Sequence, residues 1–520
     1  MSCSQRIGMV LALGGLFAPS LRAQTPSAYE ELQTLSGVMN HVRTNYVDTV
    51  GYHELVRAAI DGVLHALDPH SAFYTRAEWE RRTAMERGTL AVTGLALEAV
   101  DSTIIVLAVY PKSPAAKAGI MPGDRITAVN DTSVVGVDVE DLALRLAGDR
   151  GSKVRLRLER GPRFEPDSFA VTLKRDFVEV HAVSSARMAD SVTGYIRLEA
   201  FGFKAADDLH QALKQLHGRH ARQYILDLRG NPGGLVPEAV NIASEFFPKG
   251  TVVFRTKGRK RDVDTTYVTT HDGDYADVPL IVLINEHSAS AAEALAASLQ
   301  DHDRALLLGR RSFGKALMQR DFLVLPGGDD LHLTVGYVLS PSGRFIQRRY
   351  RGLGIQQYWA FAGRSGAAED TVSVFRTDHG RPVRGGGGVE PDVEVARAAD
   401  WPIWFTVAWD SGFVSAVADS VALVLPLTRA TSAAWMGAQN EWRTKLLPPF
   451  LDRVRTRLHV EARVDSLLEL RVSRILAARV AEVRWGADGL EEFWVRNDPG
   501  IASALTCFPR LPGLLAGPPK

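Results

Sequence analysis

A short stretch in the second half of the chain joins an apolar run to residues that could act as a nucleophile. Leu280–Ile284 is continuously apolar, and Asn-Glu-His-Ser288-Ala-Ser290-Ala-Ala-Glu293 follows it. The pattern predicts a buried strand, a turn of small residues and then a helix. A serine at that junction lies beside the unpaired N–H groups of a helix N-terminus, which can stabilise an oxyanion. The alternative is a capping box, in which Ser290 and Glu293 only begin the helix.

A serine hydroxyl becomes a nucleophile only when a base accepts its proton. Three histidines lie near enough in sequence to be considered, His287, His302 and His332. The charged neighbours of His302 indicate a solvated helix end and His287 has no evident carboxylate to orient it, so a Ser-His-Asp triad has no support here. The other candidate base is Lys315, whose neighbours are small or apolar. A lysine can serve only as the neutral amine, so burial or a nearby cation must lower its pKa from the ordinary value of ~10.4. The alternative is a lysine at a strand edge that extends into solvent.

Composition limits the class of protein. The chain has 520 residues, of which 46% are hydrophobic and 23% charged, so about three globular domains are expected. The formal net charge is +1, which gives no general attraction to nucleic acid or to an anionic membrane. The two cysteines, Cys3 and Cys507, exclude a disulfide framework and a cysteine-built zinc site. We interpret His210, His217 and His220 as parts of a solvated helix and loop, so no metal site is expected.

The N-terminal residues resemble a secretory signal peptide. Arg6 precedes an apolar run at Ile7–Phe17, and a small residue stands before Gln24. A spanning helix needs about 20 apolar residues, so the run is short for an anchor. The alternative, a buried N-terminal helix, would be broken by Pro19. We therefore expect removal of residues 1–23, an exported protein in the periplasm or outside the cell, and no integral membrane span in the mature chain.

The remaining sequence divides by texture into four parts. Residues 28–90 show helical spacing of apolar residues, and residues 91–176 show short strands typical of a small α+β module. In residues 177–395, strands and helices alternate, which predicts an α/β core with a sheet covered on both faces. Residues 396–520 are helical again, with an amphipathic stripe between residues 452 and 483. That stripe fits an ordinary surface helix or a helix that joins two copies of the chain.

The order and spacing of the chemical residues resemble those of carboxyl-terminal processing peptidases, also called tail-specific proteases. These are Ser-Lys enzymes with an inserted PDZ domain, and the resemblance runs from about residue 30 to residue 395. It implies that Ser290 is the nucleophile, that Lys315 is the base and that Gln319 orients the lysine. The last serine of the family's nucleophile segment is Ala292 here. Because the nucleophile precedes it, we expect activity to survive.

Further motifs in the family's order suggest where substrate is held. The loop Leu226–Gly234 matches the family loop that helps to form the oxyanion hole, which implies that backbone N–H groups of Gly233, Gly234 and Ala291 hold the oxyanion. Pro341–Arg344 and Gly385–Val393 match two other family stretches. In the module at residues 91–176, four residues stand where the family has its carboxylate-binding loop: Gly94, Leu95, Ala96 and Leu97. A peptide can add a strand to such a module while the loop holds its terminal carboxylate.

The resemblance therefore implies a multidomain α/β protein: a helical N-terminal region, an inserted PDZ-like domain at 91–176, a peptidase core at 177–395 and a helical C-terminal extension. The expected function is a serine endopeptidase that recognises protein substrates by their C-terminal tails and forms an acyl-enzyme, without a metal or organic cofactor. Its partners would be peptides, and a homo-oligomer could form through the helical termini. One rival is an inactive peptide-binding scaffold, and another is an α/β ligand-binding protein. Retention of Ser290, Lys315 and Gln319 together argues against both.

Overall fold

In the computed structural model the described residues are 27–86, 90–100, 103–110, 112–121, 123–137, 139–160, 166–178, 181–324, 328–353, 357–358, 373–397 and 399–517. The predicted signal peptide lies outside them. The chain forms two compact units, one ending at Ala66 and one starting at Leu67. The first unit contains two helices, α1 (Ala28–Asn45) and α2 (Tyr52–Leu67). A capping box begins α1, in which the Ser27 N–H donates to the Glu30 carboxylate at 2.7 Å.

The second unit begins with the segment that leads into the predicted PDZ-like module. A short strand, β1 (Ala72–Tyr74), was not anticipated within the helical N-terminal region, and α3 (Arg76–Glu86) follows it. The module consists of β2 (Leu95–Val100), β3 (Thr103–Val109), α4 (Pro114–Lys117), β4 (Arg125–Val129), β5 (Thr132–Ser133), α5 (Val139–Leu146), β6 (Lys153–Arg160) and β7 (Asp167–Lys174). Its antiparallel sheet has the order β2-β3-β4-β6-β7, with β5 paired to β4. Strand β2 is therefore an edge strand.

Strands and helices alternate along the core, as the sequence predicted. In chain order they are β8 (Val183–Met188), β9 (Thr193–Leu198), α6 (Ala205–Gly218), β10 (Gln223–Asp227), α7 (Val236–Ser244), β11 (Val252–Gly258), β12 (Thr265–Val268), β13 (Leu280–Ile284), α8 (Ala291–Asp301), β14 (Leu306–Gly309), β15 (Leu317–Leu323), β16 (Asp330–Leu339), β17 (Val374–Arg376), β18 (Pro382–Arg384) and β19 (Val393–Glu394). The main sheet has the order β19-β14-β13-β10-β9-β8, parallel except for β8. A second, antiparallel sheet has the order β1-β16-β11-β12, and β15 also pairs with β16.

The C-terminal extension is helical and supplies the second covering layer of the main sheet. Its helices are α9 (Ile403–Asp410), α10 (Phe413–Val424), α11 (Ser432–Gly437), α12 (Gln439–Lys445), α13 (Leu447–Leu458), α14 (Ser466–Asn497), α15 (Pro499–Cys507) and α16 (Leu511–Leu515). Alternate strand residues such as Val282 pack beneath α6, α7 and α8. The intervening residues, including Ile281 and Leu283, pack against Ile501 and Phe508 of the extension. The prediction of a sheet covered on both faces is confirmed.

The amphipathic stripe between residues 452 and 483 does not form one helix. It is divided between α13 and α14, and Val454, Val472 and Leu476 are buried together in the helical cluster of the extension. These side chains pack within the chain, so they offer no exposed stripe to a second copy. Within the described chain, no single helix has the length and apolar composition to cross a bilayer. The pair α9 and α10 has both only when taken together, across a bend of 65°.

Candidate active site

Three loops of the main sheet meet at one edge. They follow β10, β13 and β14, which are neighbouring parallel strands, and Asp227 pairs with Leu283 while Ile284 pairs with Gly309. The carboxyl ends of such strands lie side by side, where α/β proteins bind their ligands. The first loop carries the predicted oxyanion glycines, the second Ser290 and the third Lys315. The sheet order therefore gathers the predicted residues at a single site.

Ser290 lies in the turn between β13 and α8 with an unusual backbone. Its φ is 56° and its ψ is −115°, a conformation that is rare for a residue with a side chain and costs of order 1–3 kcal/mol. Two hydrogen bonds hold the turn: the Ser290 N–H donates to Glu293 and its carbonyl accepts from Ala294, both at 2.9 Å. A serine on a strained strand-to-helix turn is held with its hydroxyl at the top of the sheet. Ser290 is partly exposed, so substrate can reach it.

Ser288, two residues earlier, has a different environment. It is fully buried, and its hydroxyl donates to the Leu228 carbonyl at 2.7 Å and accepts from the Asn285 N–H at 3.0 Å. The bond to Leu228 connects the loop after β13 to the loop after β10, and the bond from Asn285 closes the loop after β13 on itself. Ser288 thus ties the two loops together and has no path to a substrate.

The predicted oxyanion donors are adjacent, but they are not equivalent. The Gly233 N–H donates to the buried Asn231 side chain at 2.8 Å, so this N–H is already occupied. Among the described residues, the N–H groups of Gly234 and Ala291 have no acceptor. Gly233 has φ 96°, and a Cβ on it would lie 2.8 Å from both the Ala291 nitrogen and the Ser290 Cβ. Gly233 therefore serves as a close-packed spacer, and Gly234 and Ala291 are the donors available to an oxyanion.

Glu293 is the residue whose importance the sequence understated. Its side chain is fully buried, and one oxygen accepts from the Ser312 hydroxyl at 2.5 Å and from the Gly314 N–H at 2.6 Å. The other oxygen accepts from the Lys315 N–H at 2.8 Å and from the Ser290 N–H. Burial raises the pKa of Glu293 to about 7, and these hydrogen bonds oppose the rise. The capping-box reading captured only the Ser290 part of this arrangement.

Lys315 lies two residues before β15, and Gln319 is the third residue of that strand. Lys315 is partly buried. The next residue, Ala316, is buried, and its N–H donates to the Gln347 side chain at 2.7 Å. Gln319 is partly buried and donates from Nε2 to the Thr334 hydroxyl on β16 at 3.0 Å. The charge of Lys315 reaches the partly buried His70: burial first and Lys315 second lower the pKa of His70 to about 3. The segment after α2 thus borders the site, which the sequence did not reveal.

A buried ion pair fixes the base of the loop after β10. Asp227 is fully buried and accepts from Arg229 Nε at 2.9 Å and from the Tyr195 hydroxyl at 2.8 Å. Burial alone would raise the pKa of Asp227, but Arg229 and Arg197 hold it below its usual range. Arg229 also donates from Nη1 to both oxygens of Asp498, at 3.0 Å, where Asp498 caps α15. The C-terminal extension therefore contacts the loop that carries Gly233 and Gly234.

The predicted carboxylate-binding residues Gly94, Leu95, Ala96 and Leu97 lie in the separate antiparallel module. Gly94 has φ 81°, its carbonyl accepts from the Tyr110 N–H at 3.0 Å, and a Cβ on it would lie 2.1 Å from the Ser113 Cβ. Leu95–Leu97 begin the edge strand β2, against which α5 packs. A groove between an edge strand and a helix has the geometry for an added peptide strand.

Comparison with known proteins agrees with this architecture. The model of peptidase family S41 matches residues 192–357, and a PDZ domain model matches residues 105–160. A carboxy-terminal-processing protease of Bartonella bacilliformis is 33% identical over 336 residues, which are 63% of this chain and 74% of that protein. The chain belongs to the carboxy-terminal processing serine protease family.

Two other proteins are also similar to this chain. The carboxy-terminal processing protease CtpA of Bacillus subtilis is 30% identical over 318 residues, 61% of this chain and 66% of that protein. The solved structure of a photosystem II D1 C-terminal processing protease is 24% identical in sequence and has a TM-score of 0.43. The matched region is 71% of this chain and 87% of that protein's chain. Within the described part of this protease, no group of three or more His, Cys, Asp or Glu side chains could hold a metal ion.

Gly233→Ala should inactivate the protease. The added methyl would lie 2.7 Å from the Ala289 carbonyl oxygen and 2.8 Å from the Ala291 nitrogen, so the nucleophile turn must shift. Because that shift displaces the Ala291 N–H, we expect kcat to fall by about 10²-fold or more, the usual effect of losing an oxyanion donor. Gly230→Ala is the matched control, because its φ is 78° but its nearest neighbour is an Arg197 nitrogen at 3.8 Å. Equal loss of kcat in both variants would contradict the close-packing role.

Glu293→Gln should weaken both fold and catalysis. Whichever way the amide is turned, its NH2 group faces at least one backbone N–H that the carboxylate now satisfies. An unsatisfied buried donor costs about 1–3 kcal/mol of unfolding free energy, and kcat should fall because the Ser290 turn and Lys315 lose their common acceptor. Glu245→Gln is the control, a buried carboxylate whose side-chain partner is His210. Denaturant unfolding and peptide hydrolysis would be measured for both, and a Glu293→Gln enzyme with normal kcat would refute this role.

Proposed function

We propose that this chain is a serine endopeptidase that cleaves protein substrates recognised by their C-terminal tails, using Ser290 as nucleophile and Lys315 as base. The observation that supports this proposal is the buried Glu293 carboxylate, which accepts backbone N–H groups from both the Ser290 turn and Lys315. A scaffold that only bound peptides would need neither the strained turn nor this connection. This observation disfavours an inactive peptide-binding scaffold, which is the second candidate.

In the proposed reaction, the neutral amine of Lys315 accepts the Ser290 proton while Oγ attacks the scissile carbonyl carbon. The N–H groups of Gly234 and Ala291 stabilise the oxyanion. As the C–N bond breaks, the lysine ammonium gives its proton to the departing amine, leaving an acyl-enzyme ester. Lys315 then deprotonates a water molecule that attacks the ester carbon, and as the C–Oγ bond breaks the lysine ammonium returns its proton to Ser290 Oγ. Gln319 orients the amine, and no step uses a metal or organic cofactor.

The PDZ domain would hold the substrate tail. An extended peptide can pair with the edge strand β2 while N–H groups of the Gly94–Leu97 loop bind its carboxylate. Leu95 and Leu97 are partly buried and pack against the module's apolar core, which suits an apolar terminal side chain. Export is a further part of the proposal and rests on residues 1–23, so N-terminal sequencing of the chain recovered from its host would test it. Association through the helical termini likewise stays a prediction.

Ser290→Ala and Lys315→Ala should each abolish hydrolysis of an unfolded protein substrate while the fold remains. Lys315→Arg should be equally inactive, because arginine stays protonated and cannot accept the serine proton. Ser288→Ala is the matched serine control: it removes the hydrogen bond to Leu228 and should cost stability, about 1–3 kcal/mol, but not the chemistry. Substantial activity in Ser290→Ala or in Lys315→Arg would show that the nucleophile or the base is wrongly assigned.

Peptides with apolar free C-termini should be cleaved faster than the same peptides amidated or ending in aspartate. Amidation removes the charge that the loop donors would stabilise. An aspartate side chain would bring a second charge toward Leu95 and Leu97, at a desolvation cost of order 1–3 kcal/mol. The effect should appear mainly in kcat/KM, since remote binding energy positions the scissile bond. Equal kcat/KM for the three tails would remove C-terminal recognition and leave the Ser-Lys chemistry intact.

A further inference from the structure

We propose that Thr334 and Asp68 are positioning residues that fix the orientation of the Gln319 amide and so turn its oxygen toward Lys315. This inference rests on the proposed Ser-Lys chemistry. It assigns a role to Asp68, which is far from Lys315 in sequence, and to Thr334, which lies on the neighbouring strand β16.

A continuous hydrogen-bonded chain joins the three side chains. Gln319 Nε2 donates to Thr334 Oγ1 at 3.0 Å, and Thr334 Oγ1 donates to Asp68 Oδ1 at 3.0 Å. The two strands β15 and β16 shift register between Met318 and Gln319, which sets Gln319 directly opposite Thr334. Such irregularities in strand pairing often re-aim a side chain beside an active site.

Asp68 is held so that it can act only as an acceptor. The side chain is buried, and its Oδ1 also accepts from the N–H groups of His70 and Ser71 at 2.8 and 2.9 Å. Its Oδ2 accepts from the Ser71 hydroxyl at 2.7 Å, and that hydroxyl accepts from the Thr334 N–H at 3.1 Å. These contacts fix the segment after α2 against β16, and an ionised carboxylate has no proton to donate.

The direction of each hydrogen bond from Gln319 to Asp68 follows from the Asp68 end. Because Asp68 only accepts, the hydrogen of the Thr334 hydroxyl points to Asp68, and the lone pairs of Oγ1 face Gln319. An amide that meets those lone pairs must offer its NH2 group. The oxygen of the Gln319 amide is then on the opposite side of the group from Thr334. The polarity set at Asp68 therefore decides which end of the amide remains for Lys315.

That choice matters to a lysine base. An amide oxygen accepts an N–H of the amine and leaves the nitrogen lone pair free to take the serine proton. The reversed amide would present its NH2 group as a donor to that lone pair and would compete with Ser290 for it. The charge of Lys315 also reaches His70, two residues from Asp68, and contributes after burial to lowering the pKa of His70. The lysine and the anchored segment are thus neighbours.

The test is a double-mutant cycle on Thr334 and Gln319. Thr334→Val keeps the shape of the side chain but removes the hydroxyl, and we expect kcat to fall between about 10-fold and 100-fold with KM unchanged, the scale of a misoriented catalytic group. Thr334→Ser restores the hydroxyl and should recover most of kcat. In a Gln319→Ala background the valine substitution should cause no further loss, because Thr334 acts only through Gln319.

The outcomes separate this inference from a structural role and from the proposed function. Unchanged kcat in Thr334→Val would overturn the inference. An equal fall of kcat in the wild-type and Gln319→Ala backgrounds would also overturn it, because Thr334 would then only connect the 68–71 segment to β16. Melting temperatures accompany each assay, and if Thr334→Val does not fold, Thr334→Ala takes its place in the cycle. Ser290→Ala is assayed beside them. A wild-type enzyme no more active than Ser290→Ala would contradict the proposed function. An active wild type with a fully active Thr334→Val would contradict only the positioning role of Thr334 and Asp68.

Discussion

The site depends on one buried carboxylate. Burying the charge of Glu293 is expensive unless several donors face it, and the donors come from two loops that follow different strands. The carboxylate is satisfied only when the turn at Ser290 and the segment at Ser312–Lys315 are both in place. Nucleophile and base are therefore positioned together, and the strain of the Ser290 backbone is balanced by hydrogen bonds that the same carboxylate accepts.

Local patterns predicted the parts of the site that are local. The apolar run at Leu280–Ile284 and the small residues after it specify strand, turn and helix within about twenty residues, and the alternation of such units specifies an α/β core. The strands of the antiparallel module were also predictable, because polar and apolar residues alternate along β6 in the sequence and its exposed and buried residues alternate in the same way. The stripe at residues 452–483 is divided between two helices. Helical spacing shows that a face is apolar but not which element covers it.

What the sequence could not show are contacts between distant segments. Asp68 bonds to Thr334, and Arg229 to Asp498, across separations that leave no periodic pattern. The sequence also could not distinguish the roles of Gly233 and Gly234. Only the fold shows that the Asn231 side chain occupies one N–H group and leaves the other available. The polar residues of β15 concealed a strand for the same reason, since its partner β16 provides the pairing.

The covering layer provided by α15 and α16 has a consequence for the order of events during synthesis. These helices come after every strand of the main sheet, yet they cover the face that includes Ile281 and Leu283 and provide Asp498 to Arg229. While the chain is still being made, that face is open and the loop at Gly233 lacks its brace. The loop that carries Gly233 and Gly234 can therefore gain the contact between Arg229 and Asp498 only after α14 has been synthesised.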